Sequence, residues 1–108
     1  MNVRQWEIWK ARPPGFEKDH WFVIISGPER LDSQRHPHIN GLACYTLRGQ
    51  PLKTDVLLDR AEGFDGTTVC QCDLFFYLEK TKLHSPLGAV TWERQQQLRA
   101  KLKEVFRF

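Results

Sequence analysis

Long apolar stretches are missing from this sequence. No run approaches the roughly 18 consecutive apolar residues that a membrane-spanning helix needs, and the amino terminus, MNVRQWEIWK, lacks the apolar centre of a signal peptide. Internal repeats, low-complexity tracts and interdomain linkers are also lacking. We therefore expect a cytoplasmic protein with no membrane segment, in which residues 1–108 form a single domain.

Cysteine is scarce, because only Cys44, Cys70 and Cys72 are present. An odd count without the spacing of a secreted disulfide framework indicates reduced thiols. On one strand, Cys70 and Cys72 would share a face and could meet one metal ion, but a zinc site usually needs four ligands. Cys44 and four scattered histidines do not complete that pattern. Small core residues are the favoured interpretation, and no metal or other cofactor is predicted.

Neither sign of charge dominates the composition. The sequence has 16 basic and 13 acidic residues, for a net charge of +3, and the excess lies in residues 91–108. A mild positive excess permits a nucleic-acid or acidic partner without requiring one. The 41% hydrophobic content is enough for a packed core and argues against disorder.

The apolar pattern consists of short strands followed by one helix. Thr91 can cap that helix, and Leu98, Leu102 and Val105 form one apolar stripe along it. This order predicts a mainly β fold with a C-terminal helix, arranged as a small antiparallel barrel with the helix packed on it. Such a barrel can be a nucleic-acid or peptide binder or a compact enzyme. The predicted strands are Trp6 to Ala11, Trp21 to Ser26, Gly41 to Leu47, Asp55 to Leu58 and Thr68 to Leu78.

The last predicted strand is the longest. Its even-numbered side chains, Cys70, Cys72, Leu74, Phe76 and Leu78, are all apolar and are expected to face the core. Its odd-numbered side chains include Phe75 and Tyr77, which would then face solvent. The segment Ser85-Pro86-Leu87-Gly88 is expected to break the chain before the helix.

The stretch from Pro13 to Ser26, PPGFEKDHWFVIIS, is the strongest candidate for a functional loop. A Pro-Gly turn leads through Glu17, Lys18, Asp19 and His20 into an apolar strand. A polar loop anchored to a buried strand can hold reactive side chains in place. The same composition also fits a solvated surface turn.

The order of these segments resembles the MazF/PemK family of toxins from toxin–antitoxin systems, whose SH3-like barrel is shared with the CcdB toxins. The likeness covers nearly the whole chain, although each motif alone is short. The matching pieces are EIW, PPGFEK before a strand that ends in Ser26, Thr46, PLKTDVLL, TTVCQCD leading to LEKTKL, and Leu87-Gly88.

The resemblance implies a metal-independent, sequence-specific endoribonuclease that cuts single-stranded RNA by attack of a 2′-hydroxyl. Such a site needs acid–base groups and positive charge or donors near one phosphate. Glu17 matches the family glutamate, and Thr46 matches a threonine thought to bind the phosphate, although it also fits an ordinary strand position. The predicted catalytic residues are Glu17, His20 and Thr46, and the predicted RNA contacts are Lys18, Arg48, Phe75 and Tyr77.

Two positions depart from the family pattern. His20-Trp21 replaces an arginine-proline pair, so an imidazole would have to serve where a permanent cation is usual. Phe76 stands where a second cation is common, and it is either core or part of a surface that has lost that charge. Arg48 can supply the missing charge, while Phe75 or Tyr77 can stack on a base.

The resemblance also implies partners and alternatives. The family pairs as homodimers and binds an antitoxin whose acidic carboxy-terminal segment lies across the RNA site. Trp6, Trp9 and Phe106 or Phe108 can supply exposed surface for pairing or belong to the core. With both cations lost, a non-catalytic module that binds an antitoxin or another protein is the main alternative. A CcdB-like gyrase inhibitor is a lesser one.

Overall fold

Seven antiparallel strands and one long helix make up most of the computed structural model, which describes residues 2–107. Single 3₁₀ turns lie at Arg60–Glu62 and Lys80–Lys82. No helix within residues 2–107 is long and apolar enough to cross a membrane. The strands are β1 (Glu7–Ala11), β2 (His20–Ile24), β3 (His38–Thr46), β4 (Asp55–Leu58), β5 (Thr68–Gln71), β6 (Phe76–Glu79) and β7 (His84–Ala89). The helices are α1 (Pro28–Leu31) and α2 (Trp92–Phe106).

The nine-residue strand β3 is the centre of the sheet. The strand order is β4-β5-β3-β2-β1-β7, and β6 pairs with β3 as well. Within residues 2–107 no ladder joins β4 to β7, so hydrogen bonds do not close the predicted barrel. The mainly β fold with a C-terminal helix is confirmed.

The predicted strand from Thr68 to Leu78 is interrupted. The prediction that all its even-numbered side chains face the same core is therefore wrong. The two parts of the strand, β5 and β6, follow one another along β3, but the register shifts by three residues between Cys44↔Cys70 and Gly41↔Phe76. Because an odd shift reverses the alternation of side chains, Cys70 faces one core and Phe76 the other. Leu74, expected in the core, loops out and is 51% exposed.

Each face of the sheet carries its own apolar core. One core includes Ile8, Val23 and Leu42, and α2 covers it with the fully buried Leu98. The other core contains Trp9, Phe22, Ile24, Ile39, Leu78 and Leu83. Both faces of β1 and β2 are therefore buried, which explains why their sequences read as apolar runs without alternation.

Strand β7 forms where the sequence predicts a chain break. Among residues 2–107 it pairs with β1 alone, so it is an edge strand. An edge strand tolerates Pro86 because one side needs no ladder donor. Its register with β1 is irregular between Ile8 and Lys10, and Ser85 adopts a left-handed φ of 53° there. The turn-forming residues of this segment therefore lie in an irregular strand and do not break the chain.

The aromatic residues considered for dimer pairing divide between core and surface. Trp6 and Trp9 are buried, at 8% and 5% exposure, so they belong to the cores. Phe106 remains accessible, whereas Phe108 lies outside the described residues. The three thiols are free and buried, which confirms them as small core residues. Hydrogen bonding between the Cys70 thiol and the side chains of Cys44 and Cys72, together with burial, holds the pKa of Cys70 well above its usual value.

Candidate functional site

A groove of about 850 Å³ opens at the end of the sheet where β2 begins and β3 ends. One wall comes from Asp19, His20 and Trp21 at the start of β2 and from the end of β3. The opposite wall is the loop from Gly63 to Thr68, with Leu87 of β7 beside it. The groove is therefore built by four separate parts of the chain.

Three predicted site residues line this groove: His20, Thr46 and Arg48. The pairing of Trp21 with Cys44 puts Thr46 on the same face of the sheet as those two residues, because strand side chains alternate. His20 projects from the opposite face. The two functional groups thus approach the groove from the two faces of the sheet, at the ends of neighbouring strands.

His20 is held by aromatic contacts. Its ring meets Phe16 edge-on at a centroid distance of 4.9 Å and Tyr45 at 5.1 Å. Burial, and secondarily the charge of Cys44, raises the pKa of Tyr45, so its phenol keeps its proton at neutral pH. A half-buried imidazole and a phenol donor are thus packed together at the mouth of the groove.

Asp19 also lines the groove, although the sequence does not predict it as a site residue. Its Oδ1 accepts a hydrogen bond from Nε of Arg12 at 3.1 Å, and its Oδ2 lies 3.3 Å from Nε2 of His84. Nδ1 of His84 in turn lies 3.1 Å from Oγ of Ser85. Burial acts to raise the pKa of Asp19, but Arg12 and His84 together outweigh it and the pKa is lowered. Asp19 is therefore an ionised carboxylate that ties its loop to β7.

The remaining predicted contacts lie outside the groove. Glu17 and Lys18 are exposed on the preceding loop and do not line it. Phe75 lies in the loop between β5 and β6, where its ring packs on Phe106 at 4.9 Å. Tyr77 stacks on His38 beside a second pocket. The roles assigned to all of these residues stay predictions.

The loop from Gly63 to Thr68 is fixed by a buried carboxylate. Glu62 is 1% exposed, and its Oε2 accepts a hydrogen bond from the Thr91 hydroxyl at 3.0 Å. Its Oε1 accepts from the amide of Asp59 at 3.0 Å, which completes a capping box. The far wall of the groove is thereby anchored to the start of α2, an arrangement that short-range sequence signals do not reveal.

Phe76 takes part in an aromatic cluster, not in the groove. Its ring lies 5.3 Å from Phe16 and 5.5 Å from Phe22, both at steep angles. This agrees with the reading of Phe76 as a packing residue, although it lies on the face opposite to the one predicted. Within residues 2–107, no group of three or more His, Cys, Asp or Glu side chains is placed to hold a metal ion.

Solved structures with the same backbone arrangement include toxins. A mycobacterial endoribonuclease in complex with its cognate antitoxin matches with a TM-score of 0.81 at 18% identity, over 98% of this chain and 96% of that chain. Mycobacterium tuberculosis toxin MazF-mt6 gives 0.78 at 18% identity, over 94% and 97%. A MazE–MazF structure from Deinococcus radiodurans gives 0.77 at 13% identity, over 100% and 99%.

No family model and no curated protein matches the sequence. The likeness is one of structure at low identity, and it confirms the expected fold. This chain has the MazF toxin fold.

Proposed function

We propose that this chain, which has the MazF toxin fold, is the toxin of a toxin–antitoxin pair and a cytoplasmic endoribonuclease for single-stranded RNA. The observation that supports this most directly is that His20, Thr46 and Arg48 line one open groove. An imidazole can transfer protons at neutral pH, a hydroxyl can hydrogen-bond a phosphate, and a guanidinium can balance its charge.

In the proposed reaction, a ribose 2′-oxygen attacks the adjacent phosphorus while the bond from phosphorus to the 5′-oxygen breaks. His20 takes the proton of the 2′-hydroxyl. The leaving 5′-oxygen takes a proton from a water molecule in the open groove, and the hydroxide left behind takes the proton from His20, which restores the neutral imidazole. The products are a 2′,3′-cyclic phosphate and a free 5′-hydroxyl. Thr46 and Arg48 stabilise the negative charge that builds up on the phosphate oxygens. These steps balance without a metal ion or cofactor.

Glu17 and Lys18 enter this proposal as contacts from the loop beside the groove. Both are exposed, and they lead directly into Asp19 and His20, which line it. A strand of RNA leaving the groove over this loop would pass the ammonium of Lys18, which suits a phosphate. Glu17 would assist His20 only once substrate is bound, because catalytic contacts often tighten in the complex.

The test is cleavage of single-stranded RNA by purified protein in the presence of EDTA. We expect His20→Ala to lower the cleavage rate by about 10²- to 10⁴-fold, the usual contribution of a general acid–base group. His36→Ala is the matched control, because His36 is an exposed loop histidine whose ring bonds Ser33 away from the groove. Equal rates for wild type and His20→Ala would remove His20 from the mechanism.

A second candidate function is a non-catalytic binding module, and the environment of Phe76 favours it. That position carries a packed aromatic ring where the family commonly has a cation. A groove with less positive charge stabilises a phosphorane less well. Absence of RNA cleavage and of growth arrest on expression, with tight binding of an antitoxin-like protein, would establish this function in place of the first.

We also propose an antitoxin partner and a homodimer. The mycobacterial relative was solved with its cognate antitoxin, and the Deinococcus radiodurans structure is a MazE–MazF structure. An acidic carboxy-terminal antitoxin segment would suit a groove lined by Arg48. Phe75 and Phe106, which pack on one another and are 41% and 37% exposed, offer an aromatic surface for pairing of two copies.

A further inference from the structure

A second, smaller pocket of about 280 Å³ lies next to the groove. Its walls are Arg12, Pro13 and Pro14, which follow β1, together with His38 of β3 and Tyr77 of β6. Arg12 connects the two sites, because it lines this pocket while its Nε donates to Asp19, which lines the groove. The ion pair between Arg12 and Asp19 therefore joins a residue of the pocket to a residue of the groove.

The pocket contains a preformed aromatic platform. The rings of His38 and Tyr77 are stacked, with a centroid distance of 4.1 Å and an angle of 6° between their planes. The register between β3 and β6 fixes this geometry, because Asn40 pairs with Tyr77 and His38 pairs with Glu79. Tyr77 is nevertheless 67% exposed, so most of its surface is free for a third ring to stack on it.

Positive charge flanks the platform. The side chains of Arg12 and Lys82 are 56% and 71% exposed, and both line the pocket. Within residues 2–107, the hydrogen bond of the Arg12 side chain runs from Nε to Asp19, so its two terminal nitrogens remain able to contact a phosphate. Lys82 lies 3.7 Å from Glu79, which is the only acidic residue among the described residues that line the pocket. Cations on flexible stems around an exposed aromatic ring suit a base together with its phosphate.

We propose that the stacked pair of His38 and Tyr77 binds a nucleobase of the same single-stranded RNA whose scissile phosphate lies in the groove. The base stacks on the free face of Tyr77, and Arg12 and Lys82 contact the flanking phosphates. This inference rests on the proposed ribonuclease function and extends it: the substrate is a strand long enough to fill two sites. The platform gives affinity without strong choice of base, because every base has a flat π face.

The experiment measures binding of a fluorescent, random-sequence 2′-O-methyl RNA 12-mer, which cannot be cleaved because its 2′-oxygens are blocked. We expect Tyr77→Ala to weaken binding by about five- to 150-fold, the range found when one stacking aromatic is removed. Tyr77→Phe keeps the flat ring and should stay within about twofold of wild type. Trp92→Ala is the matched control, since Trp92 is an equally exposed aromatic residue (69%) outside both sites.

Cleavage kinetics give a second readout. On a natural 12-mer RNA, Tyr77→Ala should raise KM and leave kcat unchanged, because the platform touches no reacting atom. His20→Ala should lower kcat and leave KM unchanged.

Three other outcomes would each reject the nucleotide subsite, and each has a different meaning for the proposed function. If Tyr77→Ala binds the 12-mer as well as wild type while wild type cleaves RNA, the pocket is not a subsite but the proposed function stands. If wild type neither binds nor cleaves RNA, both fail. If Tyr77→Ala changes the molar mass measured by light scattering, Tyr77 belongs to an interface between copies, and the nucleotide subsite is rejected.

Discussion

At the scale of single residues, Asp19 shows how contacts decide which member of a charged cluster lies in the groove. The sequence from Glu17 to His20 offers several titratable groups in a row. Only Asp19 and His20 line the groove, and Asp19 is held between Arg12 and His84. A carboxylate kept ionised in this way is a poor proton acceptor, which leaves the acid–base role to the imidazole beside it.

The first residue-scale prediction concerns the titration of Asp19. We expect its NMR titration midpoint to lie below the ordinary value of 3.8, because its partners favour the ionised form. Removing one partner in Arg12→Ala should move the midpoint upward. Arg35→Ala, an exposed loop arginine with no contact to Asp19, should leave it in place. A midpoint that does not respond to Arg12→Ala would show that the ion pair does not form in solution.

The sign of the pH dependence follows from the direction of that pKa. A carboxyl group with a lowered pKa in the folded protein adds stability at all pH values above its ordinary 3.8. That contribution is lost as the pH falls through the folded-state pKa. The thermal unfolding midpoints of wild type and Arg12→Ala should therefore converge in strong acid. Any difference between the two midpoints should reach its largest value by neutral pH.

The sequence predicts some of the residues that line the groove, but not those whose position depends on tertiary pairing. The resemblance predicts Thr46 from a matching motif, His20 from the position where the family has an arginine, and Arg48 from its place just after Thr46. All three line one groove. The sequence does not predict Asp19, because no sequence pattern indicates its contact with His84, which is 65 positions away in the chain. The wall from Gly63 to Thr68 was missed for the same reason, since Glu62 positions it through Thr91.

At the scale of elements, strands were easier to predict than their interruptions. β1, β2 and β4 follow apolar patterns that sequence reasoning finds directly. The break between β5 and β6 was not found, because Asp73-Leu74-Phe75 continues the apolar run and contains neither Gly nor Pro. β7 was missed for the opposite reason, since Ser85, Pro86 and Gly88 look like a turn.

An element-scale prediction concerns the contact between β7 and the turn that ends in Glu62. A Cβ atom added at Gly88 would lie 2.7 Å from the carbonyl oxygen of Glu62, and that oxygen belongs to rigid backbone. We expect Gly88→Ala to lower the free energy of unfolding by about 1–3 kcal/mol, the usual cost of overpacking. Urea denaturation measures this difference.

Gly66→Ala provides the control for that measurement. A Cβ atom at Gly66 would meet nothing within 4 Å, so the substitution should leave stability unchanged or raise it slightly. If both variants have the same stability, the turn and β7 are not in firm contact at Gly88.

At the scale of the whole molecule, α2 completes the core on one face of the sheet. Leu98 is fully buried against residues of β1, β2 and β3, whereas Leu102 and Val105 of the predicted stripe are only half-buried. The helix is therefore fastened mainly through its first half. The packing of a C-terminal helix on a small sheet follows from the apolar pattern, but the face it covers depends on strand order.

The whole-molecule prediction is that α2 unfolds together with the sheet. Leu98→Ala should cost about 2–5 kcal/mol through lost burial and the cavity left behind, with a single cooperative transition retained. Leu52→Ala, at a position that is 64% exposed, should change stability by no more than about 0.5 kcal/mol. An equal, small effect of both changes in urea denaturation would mean that the helix is not part of the cooperative unit.

The loop between β5 and β6 has one further consequence. Its register shift equals the length of Asp73-Leu74-Phe75, so excising these three residues would let Phe76 follow Cys72 in a continuous ladder along β3. Every remaining side chain would keep its present face, and both cores would stay intact. The three-residue loop can therefore be deleted without changing the register of the sheet that supports the groove. Any function of Phe75 can be tested by this deletion.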